Sequence, residues 1–233
     1  MSANPRKLVI AIDGPAGAGK STVAARLARK FGYVNLESGA MYRALALKAI
    51  EQGMDRSSEP ALVELAKQSK IELIPTPDGN RVLLDGRDVS TRIREREVTD
   101  AASVVSVHPR VRELMVQLQR KMGEQGGVIM EGRDIGTVVF PNADVKIFLD
   151  ADQSVRAGRR IAQVNAKDPD QAAKLIRDMQ ERDRRDSTRA TSPLVAAPDA
   201  IHLDTSELDI EQVIGEIDRI VSARVRASTT TAF

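Results

Sequence analysis

Gly14-Pro15-Ala16-Gly17-Ala18-Gly19-Lys20-Ser21 has the spacing G-x-x-x-x-G-K-[ST], and those residue types in that order suit one task, holding nucleotide phosphates. Glycines let successive backbone amides curl toward phosphate oxygens, and the partial positive charge at the start of a following helix adds to the attraction. In such a loop the lysine, Lys20, lies against the β and γ phosphates, and the hydroxyl of Ser21 ligates Mg²⁺. Three further segments carry arginine. Glu37-Ser38-Gly39-Ala40-Met41-Tyr42-Arg43 leaves a strand and enters a helix, with Ser38 as a cap and Arg43 on the first turns. Glu131-Gly132-Arg133-Asp134-Ile135-Gly136-Thr137 directly follows a strand, and open parallel sheets place their ligands at that carboxyl edge. Arg182, Asp186 and Arg189 are spaced four and three apart, on one helix face, with Arg185 beside them. Alone, such a face reads as solvated salt bridges. Beside a phosphate cradle it becomes a candidate for the second substrate.

The elements that must position these groups are legible in the apolar pattern. Short apolar runs at 8–12, 33–36, 128–130, 145–149 and 200–203 read as five strands, the first closed by Asp13 just before the glycines. Helical spacing falls at 21–31, 40–52, 110–123, 154–164, 172–185 and 210–226. Strands alternating with helices imply a parallel sheet wrapped on both faces. One stretch breaks the alternation: β runs at 71–74 and 81–84 flank the turn residues Pro75-Thr76-Pro77-Asp78-Gly79-Asn80, a hairpin pattern. Residues 58–100 are therefore expected as an insertion beside the main sheet. The polar break at 165–170 reads as a mobile flap, and 227–233 as a frayed tail.

Composition narrows the classes further. Among 233 residues there is no cysteine, which excludes disulfides, thiolate metal sites and a cysteine nucleophile. Thirty-five Lys and Arg against 33 Asp and Glu give a net charge of +2, and with two Tyr, four Phe and no Trp this argues against nucleic acid as a partner. The run at 8–12 is far short of the roughly 20 apolar residues that cross a bilayer. A cytoplasmic monomer, with no membrane partner, is the expectation. His108 and His202 read as structural, since neither lies in a cluster of ligands or bases.

These segments, in this order, resemble the bacterial cytidylate (CMP/dCMP) kinase family. The likeness is carried by Ile12-Asp13-Gly14-Pro15 with Gly17-Ala18-Gly19-Lys20-Ser21, by Ser38 to Arg43, by Gly132-Arg133-Asp134-Ile135-Gly136-Thr137-Val138-Val139-Phe140-Pro141, by Lys146 to Asp150, and by Arg182 to Arg189. It covers about residues 7 to 225, and the stretch from Gly132 to Pro141 is its most specific part. The resemblance implies a P-loop NTPase core of α/β class, with a five-stranded parallel sheet over 1–57 and 101–226. It also implies a monophosphate-binding insert with short antiparallel β at 58–100 and a helical lid at about 153–172. It implies ATP with Mg²⁺ as donor and CMP or dCMP as acceptor. Gly14, Pro15, Ala16, Gly17, Ala18, Gly19, Lys20, Ser21 and Thr22 would bind ATP, with Ser21 on the metal. Arg43 and Arg133 would hold the acceptor phosphate, in a site that includes Ser38, Tyr42 and Gly132. Ser103, Arg112, Asp134 and Arg189 would surround the base, and Arg182 and Asp186 would face the sugar. Lid arginines would come from Arg156, Arg159 and Arg160, with Lys20, Arg133, Arg159 and Arg160 serving catalysis.

The implied roles make chemical sense. Cytosine presents an amino donor beside two acceptors, so its recognition needs a carboxylate and one or more cationic or hydroxyl donors. Uracil has a carbonyl where cytosine has the amine, and a carboxylate there would face a lone pair. Two other classes share parts of this pattern. A phosphate-loop kinase for UMP, AMP or shikimate shares the cradle. A nucleotide-binding switch would need Asn-Lys-x-Asp, and Asn165-Ala166-Lys167-Asp168 has the wrong spacing. Position 37 departs from the family, where Asp is common before Ser/Thr-Gly-Ala; Glu37 is one methylene longer and stays outside the expected site.

Overall fold

In the computed structural model, which describes residues 7–76, 79–166 and 168–230, the elements run β1 (Val9–Asp13), α1 (Lys20–Phe31), β2 (Val34–Glu37), α2 (Ser38–Glu51), α3 (Glu59–Lys67), β3 (Ile71–Thr76), β4 (Gly79–Leu84), β5 (Arg87–Asp88), α4 (Arg96–Val105), α5 (Pro109–Gly123), β6 (Val128–Gly132), β7 (Val145–Asp150), α6 (Gln153–Val164), α7 (Pro169–Thr188), β8 (Ile201–Asp204) and α8 (Ile210–Thr230). The five long-range strands pair in the order β2-β6-β1-β7-β8, all parallel. Side chains alternate across a strand, so Ile10 and Ile12 point to one face of β1 and Ala11 to the other. Ile10 and Ile12 pack with Val23 and Leu27 of α1 and with Val213, Ile217 and Val221 of α8. Ala11 packs with Leu36, Met130, Val116 of α5 and Ile135. Both faces are covered, as a central parallel strand requires. Its carboxyl end therefore opens at the sheet's edge, where β1 leads straight into the phosphate loop.

The insertion forms a second sheet, β3-β4-β5, antiparallel throughout. Its apolar side meets α2, whose Ala40, Met41, Ala44, Leu45, Leu47 and Ala49 are fully buried between α3, α4, α5 and the hairpin. A helix apolar nearly all round must be covered on every side. That core fixes where the first turns of α2 sit.

Several local expectations change in the structure. Asn80 is not a turn residue but part of β4, paired with Pro75; Pro77 and Asp78 of the same turn lie outside the described residues. Helices α3 and α4 were not anticipated. In α4 a polar half, Arg96 to Asp100, precedes a small and β-branched half, so propensity is weak and burial of Val98, Ala101, Ala102 and Val105 against α2 decides the state. Residue 100, the expected end of the insertion, lies inside this helix. The polar break at 165–170 is a short link: Asn165 closes α6 in the left-handed conformation, and the Asp168 carboxylate accepts the Asp170 amide to start α7. Lys167 of that break lies outside the described residues. Of the expected tail, 227–230 continue α8, and 231–233 lie outside the described residues. Among the described residues no helix is long and apolar enough to cross a membrane.

Candidate active site

The phosphate loop is shaped by contacts that leave little freedom. Gly14 has φ +147°, and a Cβ there would stand 1.9 Å from the Leu149 carbonyl oxygen on β7. Lys20 opens α1 and is buried, with Nζ donating to the Pro15 carbonyl at 2.7 Å. Burial and the neighbouring Arg133 guanidinium pull the Lys20 ammonium down to about 7. The first turn of α1 carries no acidic residue, so the positive end of its dipole is not offset there. The Ser21 hydroxyl donates to Oε1 of Glu131 at 3.0 Å. Burial and the nearby Glu37 carboxylate raise Glu131 above the usual carboxylate range. The Ala16 peptide is gripped from both sides: its N–H donates to Oδ1 of Asp183 at 3.1 Å, and its carbonyl accepts from Nη1 of Arg156 at 2.9 Å. Arg156 and Asp183 are themselves an ion pair.

Beside the loop lies a cluster of guanidinium groups drawn from three elements. Arg43 on α2 pairs with Glu37, whose carboxylate is also 3.8 Å from Arg94. Burial opposes ionisation of Glu37, yet Arg43 and Arg94 hold it below its ordinary value. Arg133, just after β6, donates from Nε to Oδ2 of Asp186 at 2.9 Å. Arg182, one turn before Asp186 on α7, lies 4.0 Å from the same oxygen. Burial, and then the charge of Arg133, pull Arg182 down to about 10. Ser38 donates to the Glu131 carbonyl at 2.7 Å, and a Cβ on Gly132 would stand 2.6 Å from that hydroxyl oxygen. Nε of Arg43 and Nε of Arg182 are buried and have no hydrogen-bond partner among the described residues. Buried donors without partners are rare, so these point to an acceptor that binds from outside the chain.

A third cluster surrounds Asp134. Its carboxylate pairs with Arg112 of α5, and Nη2 of Arg189 lies 3.8 Å from Oδ1. Arg112 is 2 % exposed and stacks with its guanidinium carbon 5.5 Å from the Tyr42 ring centre, which also places Tyr42 in the cluster. Ser103 on α4 is buried and accepts from Nη1 of Arg185 at 3.0 Å.

The expected residues do not all converge. Lys20, Arg43, Arg133, Arg182 and Asp186 act on one another by charge, Arg189 links Asp186 to Asp134 with Arg112 and Tyr42, Ser21 and Ser38 meet Glu131 beside Gly132, and Ser103 meets Arg185. Arg160 stands close enough to Arg43 to feel its charge and donates to Gln163. Arg159 is turned away, donating to the hydroxyl and carbonyl of Thr205 at 2.9 and 2.6 Å. The Thr22 side chain is exposed.

Sequence reasoning passed over three contributors. Asp13 stands at a strand end and within a motif that carries the resemblance, with no role expected of it. It is buried and accepts the amides of Ile135 and Gly136 at 2.8 and 2.7 Å, locking the Arg133–Asp134 turn to the strand that feeds the phosphate loop. Burial pushes its carboxyl up to about 6. Glu131 and Asp183 were quoted within motifs without roles. A buried acid at a strand end was the available signal for Asp13 and Glu131; nothing local marked Asp183.

A parallel sheet with a phosphate loop after its central strand, and a second cationic cluster across the same edge, defines a phosphate-loop α/β protein. The chain belongs to the cytidylate kinase family, whose sequence pattern matches residues 10–223. It is 50 % identical over 221 residues to a cytidylate kinase of Geobacillus kaustophilus (strain HTA426), covering 94 % of this chain and 99 % of that one. It is 49 % identical over 223 residues to a cytidylate kinase of Solibacter usitatus (strain Ellin6076), covering 94 % of each. In fold it resembles the crystal structure of an uncharacterized protein from Eubacterium ventriosum ATCC 27560, with a TM-score of 0.51 at 13 % identity over 93 % of this chain and 99 % of that one.

Proposed function

We propose that the protein transfers the γ-phosphoryl group of ATP directly to the phosphate of CMP or dCMP. The observation that carries the reading is the group of buried cations Lys20, Arg43, Arg133 and Arg182 beside the phosphate loop, in which Nε of Arg43 is left without a partner. An anionic phosphate would satisfy the Arg43 donor that the protein leaves unmatched, and would offset the burial and the Arg133 charge that depress Lys20 and Arg182.

Phosphoryl transfer asks little covalent chemistry of the protein, so positioning and charge neutralisation supply most of the acceleration. The loop amides and Lys20 hold the donor phosphates. Arg43 and Arg133 hold the acceptor phosphate in line, with Asp186 fixing the direction of Arg133. The acceptor oxygen is already ionised near neutral pH, its second pKa being about 6, so no general base is required. Asp134, oriented by Arg112 and Arg189, accepts from the exocyclic amine of cytosine, and Arg182 with Asp186 faces the sugar.

The residues at the loop fit Mg²⁺: the Ser21 hydroxyl and the Glu131 carboxylate are hard oxygen donors already in contact, and Glu37 stands opposite Glu131 in the sheet register. When bound, the ion would neutralise charge developing on the phosphates. Residues of about 153–172, α6 and the start of α7, serve as the lid. Only Arg156 and Ala157 of α6 are buried, so few packing contacts oppose its movement. Closure would bring Arg160 over the phosphates and keep water out.

A coupled ADP-release assay with CMP, dCMP, UMP, AMP, GMP and shikimate side by side tests the reading. CMP and dCMP should be phosphorylated far faster than the rest. Comparable turnover of UMP, or none of CMP, would overturn it.

A further inference from the structure

Strand β2 is the outer strand of the parallel sheet, so one row of its backbone groups has no strand to pair with. At its carboxyl end that row is met by a side chain. Asn80, on β4 of the insertion and 7 % exposed, accepts the Glu37 amide on Oδ1 at 2.9 Å. From Nδ2 it donates to the Asn35 carbonyl at 2.7 Å and to its own neighbour's carbonyl, Gly79, at 3.1 Å. A primary amide carries a donor and an acceptor on one plane, as a peptide does. Asn35 and Glu37 are two residues apart and present their groups to the same edge, so Asn80 pairs with β2 much as one residue of an added strand would.

The place of this contact matters more than its strength. Glu37 immediately precedes α2, at the cap position expected of Ser38, and its carboxylate pairs with Arg43. The insertion therefore holds Glu37 twice, by Asn80 on the amide and by Arg94 at 3.8 Å from the carboxylate. We propose that Asn80 is a positioning residue for the acceptor phosphate: by pairing with the edge of β2 it sets Glu37, and through Glu37 the direction of Arg43. This rests on the reading of Arg43 as a phosphate ligand. It gives the hairpin a task beyond enclosing the core, since its register with β2 is read out at the substrate.

Asn80→Leu keeps the shape and removes both hydrogen bonds, whereas Asn80→Asp keeps the acceptor for Glu37 but turns a carboxylate oxygen on the Asn35 carbonyl. For Asn80→Leu the KM for CMP should rise roughly tenfold, the KM for ATP staying within about twofold, and Asn80→Asp should likewise raise the KM for CMP while sparing that for ATP. An unchanged KM for CMP in either variant, or equal rises for both substrates, would overturn the proposal. Hydrogen exchange at the Glu37 amide covers the case in which Asn80→Leu does not fold. It should be slow in the wild type, and exchange as fast as in an exposed loop would equally sink the idea. A wild type inactive on CMP but active on another phosphate acceptor would defeat the cytidylate reading alone, because the same comparison could then be run with that acceptor.

Discussion

Nε of Arg133 donates to Oδ2 of Asp186 across 53 residues of sequence, joining the turn after β6 to the last turn of α7. The same carboxylate lies 3.5 Å from Arg189 and 4.0 Å from Arg182. One buried acid thus organises three arginines, and burial notwithstanding, Arg133 and then Arg182 and Arg189 hold it below the usual carboxylate range. Removing it should disturb phosphate and sugar contacts together.

Asp186→Asn and Arg182→Met should each lower kcat/KM, by roughly ten- to a hundredfold for the loss of a hydrogen bond to a charged group. The losses for CMP and dCMP should be unequal, because only CMP carries the 2′-hydroxyl. Steady-state kinetics with both substrates decides the matter, and parallel losses would remove these residues from the sugar.

Lys20→Met should reduce kcat by about a hundredfold or more while CMP binding, measured by calorimetry, is retained. Full turnover in this variant would take the loop out of the mechanism.

Asp134→Asn should cost about a hundredfold in kcat/KM for CMP and narrow the CMP/UMP ratio, since the new amide can donate to the uracil carbonyl. Asp134→Ala should in addition destabilise the fold by about 3–5 kcal/mol, because it strands the Arg112 charge in a buried setting. Thermal melts measure the second effect. An unaltered CMP/UMP ratio in the Asn variant would mean that the base is read elsewhere.

Lys20 is held down to about 7 by burial and by Arg133 and Arg182, with Glu131 and Asp13 opposing them. Bound phosphate favours the charged ammonium, so the pKa rises on binding. The sign follows: a group with a higher pKa in the complex takes up a proton between the two values, and affinity falls as pH increases through that window. Calorimetry of ATP binding without metal, in buffers of different ionisation enthalpy, should show net uptake at about pH 8 and little at about pH 6. Lys20→Met should abolish the uptake, which separates the lysine from Glu131.

The core of the fold was readable because apolar runs of five residues followed by helical spacing admit few arrangements. The strand runs at 8–12 and 145–149 each lie within one residue of β1 and β7 at either end. The antiparallel hairpin was also visible in its two β runs, although Pro75, Thr76, Gly79 and Asn80, expected in the turn, belong to its strands. Helix α4 was not, since its residues favour no state until α2 covers them. Arg159 shows the limit for the site: spacing put it on the same helix as Arg156 and Arg160, but direction depends on what lies opposite, and Thr205 lies opposite.

By itself, then, the order of residues determined the phosphate loop, the alternation of strands and helices, and the set of arginines and acids available to a second anion. Those are local properties, carried by spacing along one chain. Tertiary structure alone decided the pairings: Asp13 with the amides of 135 and 136, Ser21 with Glu131, Asp183 with Ala16, and Asn80 with the edge of β2. Each joins groups from separate elements, and the direction of a hydrogen bond depends on where the sheet and helices bring its two ends.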